Sequence, residues 1–203
     1  MLDFAGLHGF AHAVHYSFSW HVNESSMRQK IAVHKIMSGE IPPIHQEKYA
    51  DEYACADVNG KVVLDLGADV GSTAQFFIKR LAKQVIAVEG SGACFPLLCA
   101  NSGKIGNVTP VKLFISSPAQ VASLLRNWKP DVVKCDIEGG EVHLFNISDT
   151  QFQSVSDYII EVHSPFLFAK LKTKCTACGF ALSIVYVDPL GEGNICVVYA
   201  QRL

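Results

Sequence analysis

Val62-Val63-Leu64-Asp65-Leu66-Gly67-Ala68-Asp69-Val70-Gly71-Ser72 is the stretch that decides the fold. Five residues dominated by branched apolar side chains make a buried strand. Two glycines then mark a tight turn, and the apolar spacing of Ala74, Phe77, Ile78 and Leu81 predicts a helix over 72–83. Glycine lets backbone approach a ligand closely, and a helix start offers N–H groups with no partner inside the helix. The glycine spacing is G-x-x-x-G, and the loop carries acids at Asp65 and Asp69. A carboxylate there repels a pyrophosphate and suits a ligand bearing an ammonium group.

Outward from this stretch, strand and helix patterns alternate. Strands are expected at 61–66, 85–88, 108–115, 131–135 and 158–162. Helices are expected at 72–83, 92–102, after Pro118, near 141–145 and at 165–178, with Gly179 as the stop. Segments 181–187 and 194–200, joined by Pro-Leu-Gly-Glu-Gly, read as a closing hairpin. Such alternation demands right-handed crossovers and a mostly parallel α/β sheet, Rossmann-like and covered by helices on both faces, with one antiparallel strand from the hairpin. Ligands of such sheets bind where strand order reverses, at the carboxyl ends of the strands.

Residues 1–52 read differently and are expected to form a cap or extension, leaving 53–203 as the cofactor-binding domain. The first part holds six of the eight histidines and the Pro42-Pro43 pair. His8, His12 and His15 fall on one helical face, but apolar residues are interleaved, so a packing segment is expected there. Its apolar residues (Phe4, Leu7, Phe10, Phe18, Trp20) suggest a contact with a second copy of the chain.

The 203 residues carry 17 Lys+Arg against 19 Asp+Glu, a formal charge of −2 that excludes a broad cationic face for nucleic acid. Seven cysteines, an odd number mostly in apolar segments, suit free thiols in a reducing cytoplasm. The Cys175/Cys178 pair has no second pair for zinc and is read as helix packing. No apolar run is long enough for a membrane span, and the N-terminus lacks the basic start of a secretory signal.

A second acidic partner follows the glycine loop. The second strand ends at Glu89-Gly90, eighteen residues past Gly71, where a carboxylate can accept from both hydroxyls of a ribose. An ammonium site at Asp65 with Gly67, Ala68, Asp69 and Gly71, and a ribose site at Glu89 and Gly90, together describe a nucleoside bearing an amino acid: S-adenosylmethionine. Ser116, after the third strand, stands where adenine is contacted in this kind of sheet, or else caps the next helix.

Pro130-Asp131-Val132-Val133-Lys134-Cys135-Asp136-Ile137-Glu138-Gly139-Gly140-Glu141 is the other unusual segment. Lys134, mid-strand, must meet a carboxylate to be buried. Asp136 and Glu138 leave the strand beside the Asp65 loop if strands one and four are neighbours. Three acids within six residues need a cation, a donor-bearing substrate or a helix start, and helix capping alone would account for Glu141.

The pairing of residues 63–71 with Lys-Cys-Asp-Ile-Glu-Gly-Gly-Glu (134–141) resembles the FkbM-type S-adenosylmethionine-dependent methyltransferases, and Ile160-Glu161-Val162-His163 is similar to that family's next strand end. The likeness covers about residues 58–203. It differs at Asp69, where the family usually has Asn, and at Gly140, where Ala is common. The resemblance implies O-methylation of a hydroxyl on a small molecule or sugar.

From the chemistry of methyl transfer, Asp136 is expected closest to the reaction, with Glu138 and His163 as rivals and Glu161 or Lys134 orienting them. His163 with an ordinary imidazole pKa would serve as base near neutral pH. No metal ligands are assigned. Competing readings are a nucleic-acid methyltransferase, a non-catalytic S-adenosylmethionine-binding protein and a nicotinamide oxidoreductase. The first is disfavoured by charge and by the lack of an Asn/Asp-Pro-Pro-aromatic tetrapeptide. The last is disfavoured by the acidic glycine loop.

Overall fold

Strand β1 (Val62–Leu66) is an inner strand of a seven-stranded sheet in a computed structural model that describes residues 52–187 and 195–203. It is followed by α1 (Ser72–Lys79), β2 (Gln84–Glu89), α2 (Phe95–Ile105), β3 (Val108–Lys112), α3 (Pro118–Trp128) and β4 (Val132–Cys135). Then come α4 (Val142–Phe145), α5 (Asp149–Phe152), β5 (Asp157–Val162), α6 (Pro165–Cys178), β6 (Phe180–Val187) and β7 (Cys196–Arg202). The order across the sheet is β3-β2-β1-β4-β5-β7-β6. Only β7 runs against its neighbours β5 and β6. Strand order reverses between β1 and β4, which pair in parallel with Asp65 opposite Lys134.

Side-chain alternation in the strands splits the core in two. Leu64, Leu66, Ile86, Val88, Val133 and Ile160 face one side, packed by α3, α4 and α6. Val63, Val85, Ala87, Val132 and Ile159 face the other, against Ala74 and Phe77 of α1, Leu98 of α2 and Tyr53. Val132 and Ile159 belong to this second side, as does Lys134, whose ammonium lies 5.8 Å from the Tyr53 ring centre. Cys175 and Cys178 are buried on α6 as free thiols.

Several boundaries differ from the sequence reading. Helix α1 stops at Lys79, four residues short of the expectation, because Leu81 takes a left-handed φ of 67° and turns the chain toward β2. Leu81 is 66% exposed, so it leaves the apolar face assigned to it. Helix α2 is shifted by three residues to 95–105, and β3 ends at Lys112, short of 115. Helix α5 was not expected, although Ser148 and Gln151 form a reciprocal capping box whose S-x-x-Q pattern stands in the sequence. The expectations for residues 1–51 (cap, histidine face, contact with a second copy) and for the turn at 189–193 lie outside the described residues. No helix among the described residues is long and apolar enough to cross a membrane.

Candidate active site at the carboxyl ends of β1, β2, β4 and β5

The β1–α1 turn is held from below by a buried ion pair. Lys134 Nζ lies 3.1 Å from Asp65 Oδ1 and donates to the Gly67 carbonyl at 2.8 Å. The ammonium thus stands between the Asp65 carboxylate, as its counter-ion, and the Gly67 carbonyl, as its hydrogen-bond donor. Thr73 Oγ1 donates to Asp65 Oδ2 at 2.5 Å. Burial pushes the Asp65 carboxyl up, opposed by Lys134 and Thr73. Burial alone would lower Lys134, but the charges of Asp65 and Asp136 outweigh it and raise its pKa. Asp65 was expected to meet the ammonium of a ligand. With no exposed surface, it meets that of Lys134 instead.

The glycines are fixed by their neighbours. A Cβ on Gly67 would stand 1.7 Å from the Asp136 carbonyl oxygen, and φ there is +79°. The turn and the end of β4 are therefore in backbone contact, reinforced by Asp136 N–H donating to the Leu66 carbonyl at 3.0 Å. Gly71 has φ of +95° and opens α1. Ala68 is buried, and its N–H donates to the Val88 carbonyl, so its side chain serves the core and not an open surface. Asp69 is exposed with φ of 48°. Asp and Asn are the non-glycine residues that best tolerate this region, which accounts for Asp standing where the resemblance has Asn.

Glu89 ties two loops together. Its Oε2 accepts from Asp69 N–H at 2.9 Å and its Oε1 from Ser91 N–H. Burial pushes its carboxyl up against those two bonds. Gly90 sits so close to the β3–α3 loop that a Cβ would lie 2.7 Å from Phe114 Cα. Phe114 itself is 73% exposed, an aromatic face beside Glu89 that the sequence reading missed. Ser116 N–H donates to Gln120 Oε1 at 2.8 Å, but the N-cap of α3 is Ser117, so Ser116 does not cap that helix as the alternative reading expected. Asn101, by sequence only a polar residue near the end of the second helix, donates its Nδ2–H to the Val70 carbonyl at 2.8 Å and anchors the glycine turn to α2.

At the ends of β4 and β5 the structure gathers Asp136, Glu138, Glu141, Glu161 and His163. His163 Nε2 lies 3.8 Å from Asp136 Oδ1 and 3.6 Å from Glu138 Oε2, and Nδ1 lies 3.0 Å from Glu141 Oε1. Lys134 Nζ is 3.8 Å from Asp136 Oδ2. Glu161 Oε2 accepts from the Tyr53 hydroxyl at 3.3 Å. Glu138, at φ of 54°, holds a strained backbone conformation for its residue type. Glu141 goes beyond a helix cap: fully buried, its Oε1 also accepts from the N–H groups of Ile137 at 3.2 Å and Gly139 at 3.1 Å.

Crowded acids set the protonation states. Burial, then the charge of Asp136, carries the Glu161 carboxyl up to about 8, against the cations His163 and Lys134. Burial would depress His163, but its bond to Glu141 and the charges of Glu141, Asp136 and Glu161 carry it up to about 10. The ring is then charged at neutral pH, where the sequence reading expected an ordinary imidazole acting as base. Asp136, Glu161 and His163 bring ligand atoms within 4.8 Å of one another, a spacing that also suits a cation. The cations that these acids meet here are Lys134 and His163, and no metal ligands are assigned.

No family model matches the chain, and no curated protein matches it. Solved structures do. A precorrin-6y C5,15-methyltransferase from Geobacter metallireducens is 17% identical with a TM-score of 0.54, over 71% of this chain and 81% of that one. The fold is that of the class I methyltransferases. Aeropyrum pernix fibrillarin in complex with S-adenosyl-L-methionine is 16% identical, with a TM-score of 0.51 over 75% of this chain and 74% of that one. Magnesium protoporphyrin IX methyltransferase from Synechocystis, with bound S-adenosylmethionine, is 16% identical at 0.51, over 81% and 86%. This class I architecture confirms the expected Rossmann-like sheet, with its antiparallel strand at β7.

Proposed function

We propose that this protein is an S-adenosylmethionine-dependent methyltransferase of the FkbM type that methylates a hydroxyl on a small molecule or sugar. The observation that carries the reading is one continuous rim of the sheet. A ribose-type acceptor at Glu89 and a titratable cluster at Asp136 are joined there through the Gly67–Asp136 backbone contact. Even with Glu161 holding its proton, the exposed and half-buried acids of the rim (Asp69, Glu89, Asp136, Glu138) outnumber its cations Lys134 and His163, which suits a ligand carrying a sulfonium and an ammonium group. Glu89 would hold the ribose hydroxyls, Gly90 and Phe114 would flank the adenine with Ser116 beyond them, and Asp69 with the 67–71 backbone would face the amino-acid end.

The cofactor supplies an electrophilic methyl group on sulfur. The chain positions the acceptor in line with it and removes the hydroxyl proton. Asp136 is the group for that step. It is a quarter exposed, so an acceptor reaches it, and Lys134 Nζ stands 3.8 Å from its Oδ2. Glu138, exposed at the loop tip, would bind the acceptor's other hydroxyls.

The test uses S-adenosylmethionine labelled in its methyl group and three acceptor pools: sugars and polyols, RNA, and protein. Label is expected in alkali-stable ethers of the first pool. Asp136→Asn is expected to bind cofactor normally and to lose transfer. Label in RNA or protein, or equal loss of binding and transfer in Asp136→Asn, would overturn the reading.

A further inference from the structure

Both nitrogens of His163 face carboxylates. At Nδ1 stands Glu141 Oε1, which already accepts from the N–H groups of Ile137 and Gly139. Those backbone groups only donate, so Glu141 is committed as an acceptor and the ring must donate to it. At Nε2 stand Asp136 Oδ1 and Glu138 Oε2. The ring side chain is 10% exposed and Glu141 is fully buried, so water screens the Nδ1 contact poorly, whereas Asp136 and Glu138 at Nε2 are 25% and 59% exposed. From β5 itself Glu161 adds a fourth acid near the ring, and Lys134 of β4 and Tyr53 stand beside Asp136 and Glu161.

We propose that Glu141 is a positioning residue that keeps His163 a doubly protonated imidazolium. Through its Nε2–H this fixed cation orients Asp136 and steadies the negative charge that develops on the acceptor oxygen. The proton leaves to Asp136 as the oxygen–methyl bond forms and the sulfur–methyl bond breaks. His163 donates throughout and is never the base. A buried carboxylate that holds an imidazole in one protonation state is a recurring catalytic arrangement, here turned to electrostatic use. The catalytic half of this inference rests on the methyltransferase reading. The protonation state does not, and it can be measured without cofactor or acceptor.

The experiment is long-range proton–nitrogen NMR on the full ¹⁵N-labelled chain, with the His163 ring assigned by its loss in His163→Gln. At about pH 8 an unperturbed imidazole is neutral. The expected spectrum shows both ring nitrogens protonated. Glu141→Gln keeps an acceptor oxygen but removes the charge, and should move the titration midpoint down by about one to three pH units. A purely structural glutamate would leave that midpoint in place. A ring with one proton at that pH in the wild type overturns the proposal, as does an unchanged midpoint in a folded Glu141→Gln. The wild-type spectrum decides even if the variant does not fold. If S-adenosylmethionine fails to bind but the ring is doubly protonated, the methyltransferase reading falls and the assignment of Glu141 stands.

Discussion

Replacing Lys134 by methionine removes the cation beneath the glycine turn while keeping most of the side chain's volume. Lys134 is 1% exposed and its partner Asp65 is fully buried, so no water moves in to solvate the carboxylate that is left. Three contacts disappear together: the ion pair at 3.1 Å, the bond to the Gly67 carbonyl at 2.8 Å and the approach to Asp136 at 3.8 Å. Breaking a buried pair by deleting one partner costs about 3–5 kcal/mol, most of it the penalty of the uncompensated charge. That is roughly two to nearly four powers of ten in the folding constant, a large share of a typical domain's stability. Urea unfolding of the wild type, Lys134→Met, Asp65→Asn and the double variant measures it. Asp65→Asn with Lys134→Met leaves a neutral amide that can still accept from Thr73, so the double variant should recover about 1–3 kcal/mol relative to the sum of the singles. A loss below about 1 kcal/mol in Lys134→Met, or strict additivity, would refute the view that this pair carries the turn.

Gly67→Ala and Gly139→Ala both place a Cβ at positive φ, but only the first meets an atom, 1.7 Å from the Asp136 carbonyl oxygen. Gly67→Ala should cost more than about 3 kcal/mol or fail to fold, and Gly139→Ala about 1 kcal/mol, read from denaturant midpoints. Stability should also fall as pH rises through the alkaline range. His163 is raised from 6.5 to about 10, so its contribution is complete below the unfolded value and is lost as pH climbs through about 10. Glu161, raised from 4.5 to about 8, keeps a proton that the unfolded chain has released, so between those values stability declines with rising pH as well. Urea midpoints taken across this span should fall steadily, and less steeply in His163→Gln.

The sheet was legible because its strands are short runs of branched apolar residues bounded by glycine, proline and charge, a pattern that local sequence carries by itself. Where it failed, tertiary context decided. Leu81 looks like the next apolar position of α1, yet its left-handed backbone puts it in solvent. In the site, the strand-end acids were readable from spacing because residues two apart share a face. Glu161 and His163 are such a pair, and so are Lys134 and Asp136. The pairing of Asp65 was not readable, since the same carboxylate suits a ligand's ammonium or a lysine across the sheet. Only the register that sets Asp65 opposite Lys134 chooses between them. The state of His163 was hidden for a related reason, because the acids around it come from the loop after β4 and from the start of α4 as well as from β5. Asn101 and Phe114 act through loops that meet only in the fold.

Titration calorimetry with S-adenosylmethionine, S-adenosylhomocysteine and NAD tests the central claim most directly. The account predicts saturable binding of the first two, little or none of NAD, and a loss of about tenfold or more in Glu89→Ala from the missing charged hydrogen bonds to ribose. Binding of NAD in preference to S-adenosylmethionine, or S-adenosylmethionine binding indifferent to Glu89, would contradict it.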